Sequence, residues 1–233
     1  MNRAVLITGA SSGIGAATAL ALSEHMRLVL VARRRDRLDA LVAKIAAAGG
    51  RAWAVIADLE KPGEPERVVA EAVRLSGGID AVVNNAGVFL AAGVGDINAA
   101  HLERQWRLNV QAPILVAQAA VPHLAARGGG TIVNVSSVAA EATFVGCSAY
   151  SATKAALDCW SRIAREELRS KRIRIGVIAP GATATEIWSA ESTFDRTKMC
   201  RAEDIAQAIR AMIEAPASAS IDRMVITPPS GAL

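Results

Sequence analysis

The sequence contains few aromatic residues, cysteines and histidines, and each shortage excludes a class of protein. Phe, Trp and Tyr make up 3% of its 233 residues, while hydrophobic residues make up 52%. Aliphatic side chains must therefore fill the core, as they do where helices cover both faces of a parallel sheet. Cys147, Cys159 and Cys200 are widely spaced and form no CxxC pair, which favours a reduced, cytoplasmic protein. The three histidines lack metal-ligand spacing, so no metal site is predicted.

Long hydrophobic runs are also missing. No stretch approaches the roughly 18 apolar residues of a membrane span, and the first apolar run, residues 4–7, is too short for a signal-peptide core. The formal net charge of +4 raises the question of a nucleic-acid partner. However, the densest basic run, residues 33–37, is short and contains no stacking aromatics. We therefore predict neither a membrane nor a nucleic-acid partner.

Short β-branched runs alternate with helix-length segments along the chain. The predicted strands are Ala4–Ile7, Leu28–Val31, Trp53–Ala57, Ala81–Val83, Thr131–Val135, Ile173–Ile178 and Arg223–Thr227. The predicted helices are Gly13–Glu24, Asp36–Ala48, Pro65–Ser76, Ala99–Ala126, Tyr150–Ser170 and Ala202–Glu214. Such alternation is typical of right-handed βαβ units. The sequence therefore predicts an α/β fold: a single doubly wound Rossmann-type domain over residues 1–233, with a seven-stranded parallel sheet flanked by helices.

A glycine-rich segment, residues 8–15, joins the first predicted strand to the first helix. Glycine there permits unusual φ angles and lets the backbone approach a pyrophosphate, which the helix N-terminus stabilises. The spacing is GxxxGxG and not the more familiar GxGxxG, and any tight structural turn can also use glycine. Its position at the first strand–helix joint favours a dinucleotide site. The residues expected to contact the cofactor here are Gly9, Ser11, Ser12, Gly13, Ile14 and Gly15.

Arginines occupy the place where an NAD-binding fold usually carries an acid, at the end of the second strand. The strand ends Val31-Ala32-Arg33-Arg34, and no acid follows until Asp36. Guanidinium groups can hold a 2′-phosphate bidentately, whereas an acid would repel it. NADP(H) is therefore predicted over NAD(H), with Arg33 contributing more than Arg34 because it lies nearer the strand end. The alternative is that both arginines are the solvated start of the next helix.

Together with three further segments and a proline–glycine pair, these motifs resemble the short-chain dehydrogenase/reductase family over nearly the whole chain. The segments are Asn84-Asn85-Ala86-Gly87, Ser136-Ser137, Tyr150-Ser-Ala-Thr-Lys154 and Pro180-Gly181. A YxxxK pair alone arises by chance in many proteins, but the ordered set is specific. The resemblance implies an NADP(H)-dependent oxidoreductase that interconverts a small carbonyl compound and its alcohol.

The expected catalytic residues are Asn109, Ser137, Tyr150 and Lys154. Tyr150 and Lys154 are four residues apart on a predicted helix, so both lie on one face. A free phenol has a pKa near 10, and a neighbouring ammonium is expected to lower it by about 1 to 3, so that Tyr150 can exchange a proton with the substrate oxygen. By resemblance, Lys154 also binds the nicotinamide ribose and Ser137 orients the substrate. Asn109 supports a water-linked proton relay, unless its role is only local.

The resemblance places further contacts around the cofactor and the substrate. The cofactor contacts are Asp58 and Leu59 at the adenine, Asn85, Ala86 and Gly87 at its ribose, and Pro180, Gly181, Thr183 and Thr185 at the nicotinamide, although each also suits a turn. Asn84 is expected to tie strands together instead. The expected pocket residues, besides Ser137, are Ala139, Glu141, Phe144, Cys147 and Trp188. Whether Glu141 points inward, and whether Trp188 belongs to the core, stays open.

Substrate and assembly are less closely constrained. The end of the chain is similar to a subgroup that acts on 3-hydroxy acids and miscellaneous carbonyls, but a reductase of a tethered biosynthetic intermediate, or a non-catalytic NADP-binding sensor or scaffold, stays open. The predicted helices 99–126 and 150–170 carry apolar residues on several faces, such as Val116 and Ile163, and such helices need more than one burial partner. Because family members pair these helices across a two-fold axis, we expect a homodimer or homotetramer.

Overall fold

The computed structural model describes residues 3–188, 195–229 and 231. Its strands are β1 (Ala4–Thr8), β2 (Arg27–Ala32), β3 (Arg51–Ile56), β4 (Ala81–Asn84), β5 (Gly130–Val135), β6 (Ile173–Pro180) and β7 (Arg223–Ile226). Its α-helices are α1 (Gly13–Leu22), α2 (Arg35–Ala47), α3 (Glu64–Ser76), α4 (Ala99–Trp106), α5 (Ala112–Ala126), α6 (Ser148–Leu168) and α7 (Ala202–Glu214). Each predicted strand is present, with its ends moved by a few residues at most.

The seven strands pair in parallel in the order β3-β2-β1-β4-β5-β6-β7. The chain winds outward from β1 in one direction as far as β3, and then returns to β4 on the other side of β1. This reversal between β1 and β4 is a topological switch point, and ligands of open α/β sheets bind outside the carboxyl ends of the strands there. The predicted doubly wound parallel sheet is confirmed.

Helices cover both faces of the sheet, which explains why the strands read as unbroken aliphatic runs. Val5 and Ile7 of β1 face one side and pack with apolar residues of α1, α2 and α7, while Leu6 faces the other side with residues of α3, α5 and α6. Successive strand side chains point to opposite faces, so a strand buried on both sides must be apolar throughout. No helix within the described residues is long and apolar enough to cross a membrane.

One predicted helix, Ala99–Ala126, divides into α4, a π-helical turn over Arg107–Gln111, and α5. The amide of Ala112 donates to the carbonyl of Arg107, five residues earlier. Pro113 has no amide hydrogen, so the regular helical bond to the carbonyl of Asn109 is impossible. Such π-helical turns are rare inside α-helices and recur at functional sites. Here the turn carries Asn109.

A chain of buried amides and a hydroxyl crosses the core and links four elements. Asn84 Nδ2 donates to the carbonyl of Pro113 at 3.1 Å and to Asn134 Oδ1 at 2.9 Å. Asn134 Nδ2 donates to Ser161 Oγ at 2.8 Å, and that hydroxyl donates to the carbonyl of Leu157 at 2.7 Å. The expectation that Asn84 ties strands together is confirmed. Because buried polar groups are costly without partners, these hydrogen bonds fix α5 and α6 against β4 and β5.

Candidate active site

A cleft of about 750 Å³ opens at the carboxyl edge of the sheet, over the switch point. Almost every residue predicted for the site lines it. The exceptions are Gly15, Asn109 and Glu141. The first two contact cleft residues from behind, whereas Glu141 lies outside the cleft. The topology therefore brings together residues from 9 to 188 in one continuous surface.

The glycine-rich turn packs against the start of the segment after β4. Gly9 and Gly13 have φ values of 66° and 53°, which favour glycine. A Cβ on Gly15 would lie 2.4 Å from the carbonyl oxygen of Gly9 and 2.6 Å from Asn85 Nδ2, so this position has no room for a side chain. Asn85 Nδ2 donates to the carbonyls of Thr8 and Gly9 at 2.9 and 3.2 Å. The turn is thereby held open at the N-terminus of α1.

Arg34, and not Arg33, closes over this turn. Its Nε and Nη2 donate to Ser11 Oγ at 3.2 and 2.9 Å, and Nη2 also donates to Ser12 Oγ at 2.7 Å. The side chain of Arg33 is 58% exposed, and its Nη1 lies 3.6 Å from Glu60 Oε1. Arg34 therefore contacts the turn and Arg33 does not, because Arg34 follows the strand by one more residue and can bend back to α1. Which arginine contributes more to binding a 2′-phosphate stays a prediction.

Glu186 brings an acid to the same end of the cleft, which the sequence analysis missed. It follows Thr185 in the loop after β6, yet its Oε2 accepts from Arg34 Nη1 at 2.8 Å. Its Oε1 pairs with Arg37 Nη1 at the start of α2. These two arginines hold the pKa of the Glu186 carboxyl below its usual value. No local pattern signals a contact between residues 152 apart in the sequence.

At the other end of the cleft, Tyr150 and Lys154 lie on the first turns of α6, near Ser137 at the end of β5. The hydroxyl of Ser137 accepts from the amide of Ala139 at 3.1 Å, and its interaction with the Tyr150 phenol lowers the pKa of the phenol. Lys154 Nζ donates to the carbonyl of Val135 at 2.9 Å and lies 5.6 Å from the centre of the Tyr150 ring. The ordered motifs of the sequence thus converge on one small volume.

The protonation of this group differs from the sequence expectation. Burial raises the pKa of Tyr150 to about 12, although the Ser137 hydrogen bond opposes the rise. Burial also lowers the pKa of Lys154 to about 8, against the opposing charge of Asp158. The predicted lowering of the phenol pKa is therefore wrong for this state, because desolvation disfavours the phenolate more than Ser137 stabilises it, and Cys147 adds to the rise. Tyr150 is protonated at neutral pH.

Asn109 holds the backbone beside this group in place. Its Oδ1 accepts from the amide of Val88 at 2.8 Å, and its Nδ2 donates to the carbonyl of Val88 at 2.9 Å and to Thr153 Oγ1 at 3.1 Å. Both amide hydrogens of the side chain are thereby used. The side chain thus connects the segment after β4 to α6, one residue before Lys154.

Glu141 does not line the pocket. Its carboxylate lies 3.1 Å from Arg223 Nη2 at the start of β7, and the same nitrogen lies 3.8 Å from Asp158 Oδ2. The prediction that Glu141 contacts the substrate is wrong, because Arg223 holds its carboxylate outside the cleft. Burial raises the pKa of Asp158, while the Ser136 hydroxyl and the charges of Arg223 and Lys154 oppose the rise. Asp158 therefore places an acid one helical turn behind Lys154.

Aromatic rings form one wall of the cleft next to Tyr150. The Phe89 ring meets the Tyr150 ring edge-on, with centroids 5.0 Å apart, and the Trp188 ring with centroids 5.6 Å apart. Trp188 Nε1 donates to the carbonyl of Thr183 at 2.8 Å, so the indole lines the cleft and does not belong to the core. Phe89 was not predicted as a cleft residue, although it lies two residues after Gly87, the last residue of a segment that was expected to contact the cofactor.

The remaining predicted contacts lie along the cleft between its two ends. Asp58 and Leu59 follow β3, and Asp58 Oδ1 accepts from the amide of Glu60 at 3.3 Å, which is a turn contact. In the loop after β6, Thr183 Oγ1 donates to the carbonyl of Gly181 at 3.0 Å. Both hydrogen bonds join residues that are two apart in the sequence, and they fix the local backbone that lines the cleft.

The family of the chain follows from three comparisons. A family model described as short chain dehydrogenase matches residues 3–196. An uncharacterized oxidoreductase of Methylorubrum extorquens is 39% identical over 187 residues, covering 79% of this chain and 75% of that protein. Human dehydrogenase/reductase SDR family member 4 is 35% identical over 186 residues, covering 79% and 67%. A crystal structure of a short chain dehydrogenase from Burkholderia cenocepacia in complex with NADP is 32% identical, with a TM-score of 0.88, covering 97% and 96%.

A doubly wound sheet whose cleft joins a glycine-rich turn to a Ser–Tyr–Lys group defines a dehydrogenase-like oxidoreductase. This chain belongs to the short-chain dehydrogenase family. The resemblance found in the sequence is confirmed, and so is the prediction of an enzyme.

Proposed function

We propose that the protein transfers hydride between NADP(H) and a small carbonyl compound or its alcohol. The observation that carries this proposal is the convergence of Ser137, Tyr150 and Lys154 in the same cleft as Arg34 and the glycine-rich turn. A sensor or scaffold would need the nucleotide end of this cleft but not the other. Free Cys147, Cys159 and Cys200 are compatible with action in a reducing cytoplasm.

The nucleotide end fits a cofactor that carries a 2′-phosphate. Gly15 leaves no room for a side chain between the turn and the segment after β4, which is the close packing that lets a helix N-terminus meet a pyrophosphate. Arg34, beside Ser11, supplies a guanidinium where an NAD site has an acid. The similar Burkholderia cenocepacia enzyme is complexed with NADP, which supports the same choice. When bound, the nicotinamide supplies or accepts the hydride.

The chain's own residues manage the proton. With its pKa at about 12, Tyr150 is protonated at neutral pH and is ready to donate its phenolic proton to a carbonyl oxygen. The Ser137 hydroxyl hydrogen-bonds the same oxygen and fixes its position. Lys154 has three donors, of which one is used by the carbonyl of Val135, and the others are free to hold ribose hydroxyls. The resting protonation state therefore suits carbonyl reduction.

The rim favours an uncharged, partly apolar substrate. Ala139, Phe144, Cys147, Phe89 and Trp188 line the substrate end, and Glu141 contributes no charge there. Apolar walls with a few converging polar groups are typical of small-molecule sites.

The test is a screen of purified protein against a panel of aldehydes and ketones, following the loss of NADPH absorbance. We expect turnover of at least one uncharged carbonyl compound, and a rate lower by about 10²-fold or more for the Tyr150→Phe variant. Tight NADPH binding without turnover of any panel member would instead indicate the sensor. The reverse reaction is tested by incubating the corresponding alcohols with NADP⁺ and following the formation of NADPH.

A further inference from the structure

Glu186 spans the cleft and neutralises the arginines of its opposite wall. The residue belongs to the loop after β6, whereas Arg34 and Arg37 follow β2. One carboxylate oxygen accepts from Arg34 Nη1 at 2.8 Å, and the other pairs with Arg37. Glu186 also lines the cleft. An acid therefore lies at the end of β2, as it does in an NAD-binding fold, but it belongs to a different part of the chain.

The geometry of Arg34 shows which part of its guanidinium remains for an anion. Its Nε and Nη2 are bonded to Ser11 and Ser12, so these donors fix its orientation against the turn. Nη1 carries two of the five donors of a guanidinium, and Glu186 uses one of them. The carboxylate therefore sits on the edge of Arg34 that is not committed to the turn.

A phosphate at this place would meet the carboxylate as a like charge. Two anions share one guanidinium only at an electrostatic cost, because like charges within a few ångströms repel. Glu186 has an alternative partner in Arg37, so it can leave Arg34 without becoming unpaired. The side chains of Glu186 and Arg34 are 52% and 40% exposed, and ion pairs of that exposure are weak enough for a stronger anion to replace.

We propose that Glu186 is a cofactor-selectivity residue that competes with the 2′-phosphate of NADP(H) for Arg34. It lowers the affinity for NADP(H) and leaves that for NAD(H), which lacks the phosphate, nearly unchanged. This inference rests on the proposed function, since it takes NADP(H) as the cofactor. Its consequence is a weaker and faster-exchanging cofactor than the arginines alone would bind.

The experiment compares the dissociation constants of NADPH and NADH for wild type and Glu186→Gln, by calorimetric titration. Glutamine keeps the size and one acceptor oxygen but removes the charge. We expect the NADPH dissociation constant to fall about three- to tenfold, a range typical of one partly exposed charge, and that of NADH to change less than about twofold. High salt should shrink the gain, because screening weakens both partners.

A matched control is Glu71→Gln, which removes an equivalent partner of Arg74 on α3, away from the cleft; it should leave both constants unchanged. A thermal melt of Glu186→Gln checks that the variant is folded. Unchanged or weaker NADPH binding by Glu186→Gln, while wild type still prefers NADPH, overturns the inference and leaves the proposed function intact. An equal loss of both nucleotides also overturns it, since Glu186 would then only brace the cleft. A wild type that binds neither nucleotide overturns the proposed function itself.

Discussion

The two ends of the cleft handle charge in opposite ways. At the catalytic end, Lys154 is 5% exposed and Tyr150 packs under Phe89, so burial decides which protons are held. At the arginine end, Arg33 and Arg34 are half exposed and their charges are balanced by Glu60 and Glu186. Desolvation is a large term and ion pairing near water is a small one. The first end therefore holds its groups in one protonation state at neutral pH, and the second pairs its charges weakly enough to exchange partners.

The largest expected effect is at the catalytic end. Tyr150→Phe removes the phenolic proton that we propose is donated to the substrate oxygen, while keeping the ring against Phe89. We expect turnover to fall by about 10²–10⁴-fold, the usual contribution of a positioned general acid, with NADPH affinity nearly intact. Steady-state rates and a binding titration measure the two effects. Turnover within about tenfold of wild type would remove Tyr150 from this role.

A titration of the phenol tests the contrast directly. Tyr150 is the only tyrosine of the chain, so tyrosinate absorbance reports on it alone. With a pKa of about 12, roughly 1% should be ionised at pH 10, where a free phenol is half ionised. The folded pKa lies above the unfolded value, so this group's stabilisation is lost as the pH rises from about 10 to about 12.

The control for this titration is the chain unfolded in guanidinium, whose midpoint should return to about 10. Circular dichroism at each pH confirms that the native sample is still folded. A midpoint below 10 in the folded protein would mean that Lys154, and not burial, dominates the environment of the phenol.

At the arginine end, the effect should appear in cofactor affinity and not in the turnover rate. Arg34→Ala removes the guanidinium that contacts Ser11, and losing one charge-assisted hydrogen bond of about 1.5–3 kcal/mol weakens NADPH binding by about 10- to 150-fold. NADH binding should change little. Arg33→Ala is the matched variant, and the contacts predict a smaller loss for it. If Arg33→Ala proves the more harmful, the order expected from the sequence is right after all.

The smallest effect on the cleft should come from a change on the outer face of α6. Ile163 is 53% exposed there, and Trp106 of α4 is 50% exposed, whereas Val116 and Leu157 are buried within the chain. We expect wild type to be a dimer or tetramer at micromolar concentration, and Ile163→Asp to dissociate it with little loss of cofactor affinity. Light scattering measures the oligomeric state of both proteins, and a binding titration measures their cofactor affinity. A monomeric wild type would contradict the assembly.

Local signals predicted the fold, and most of the residues that they assigned to a nucleotide lie in one cleft. The useful patterns were strand periodicity, the glycines before α1 and the Tyr–Lys spacing. Each is a property of a short segment, so it can be recognised without knowledge of the tertiary structure. The errors concern tertiary contacts. Arg223 holds Glu141 outside the pocket, Glu186 reaches Arg34 from 152 residues further along the chain, and burial reverses the expected pKa shift of Tyr150. The sequence analysis predicted one continuous helix over Ala99–Ala126 and missed the π-helical turn. Pro113 marks this place in the sequence, but apolar residues recur on both sides of it.

The buried amide chain from Asn84 to Ser161 has a consequence for how this enzyme can change over generations. Ser161 anchors α6 to β5 through Asn134, about two helical turns beyond Lys154. The helix that carries Tyr150 and Lys154 is thus fixed from within the core, while Phe144 and Trp188 stand on connecting segments. Substitutions at the rim therefore alter what enters the cleft without displacing Tyr150 and Lys154. Such a division lets substrate preference drift while the chemistry is inherited unchanged.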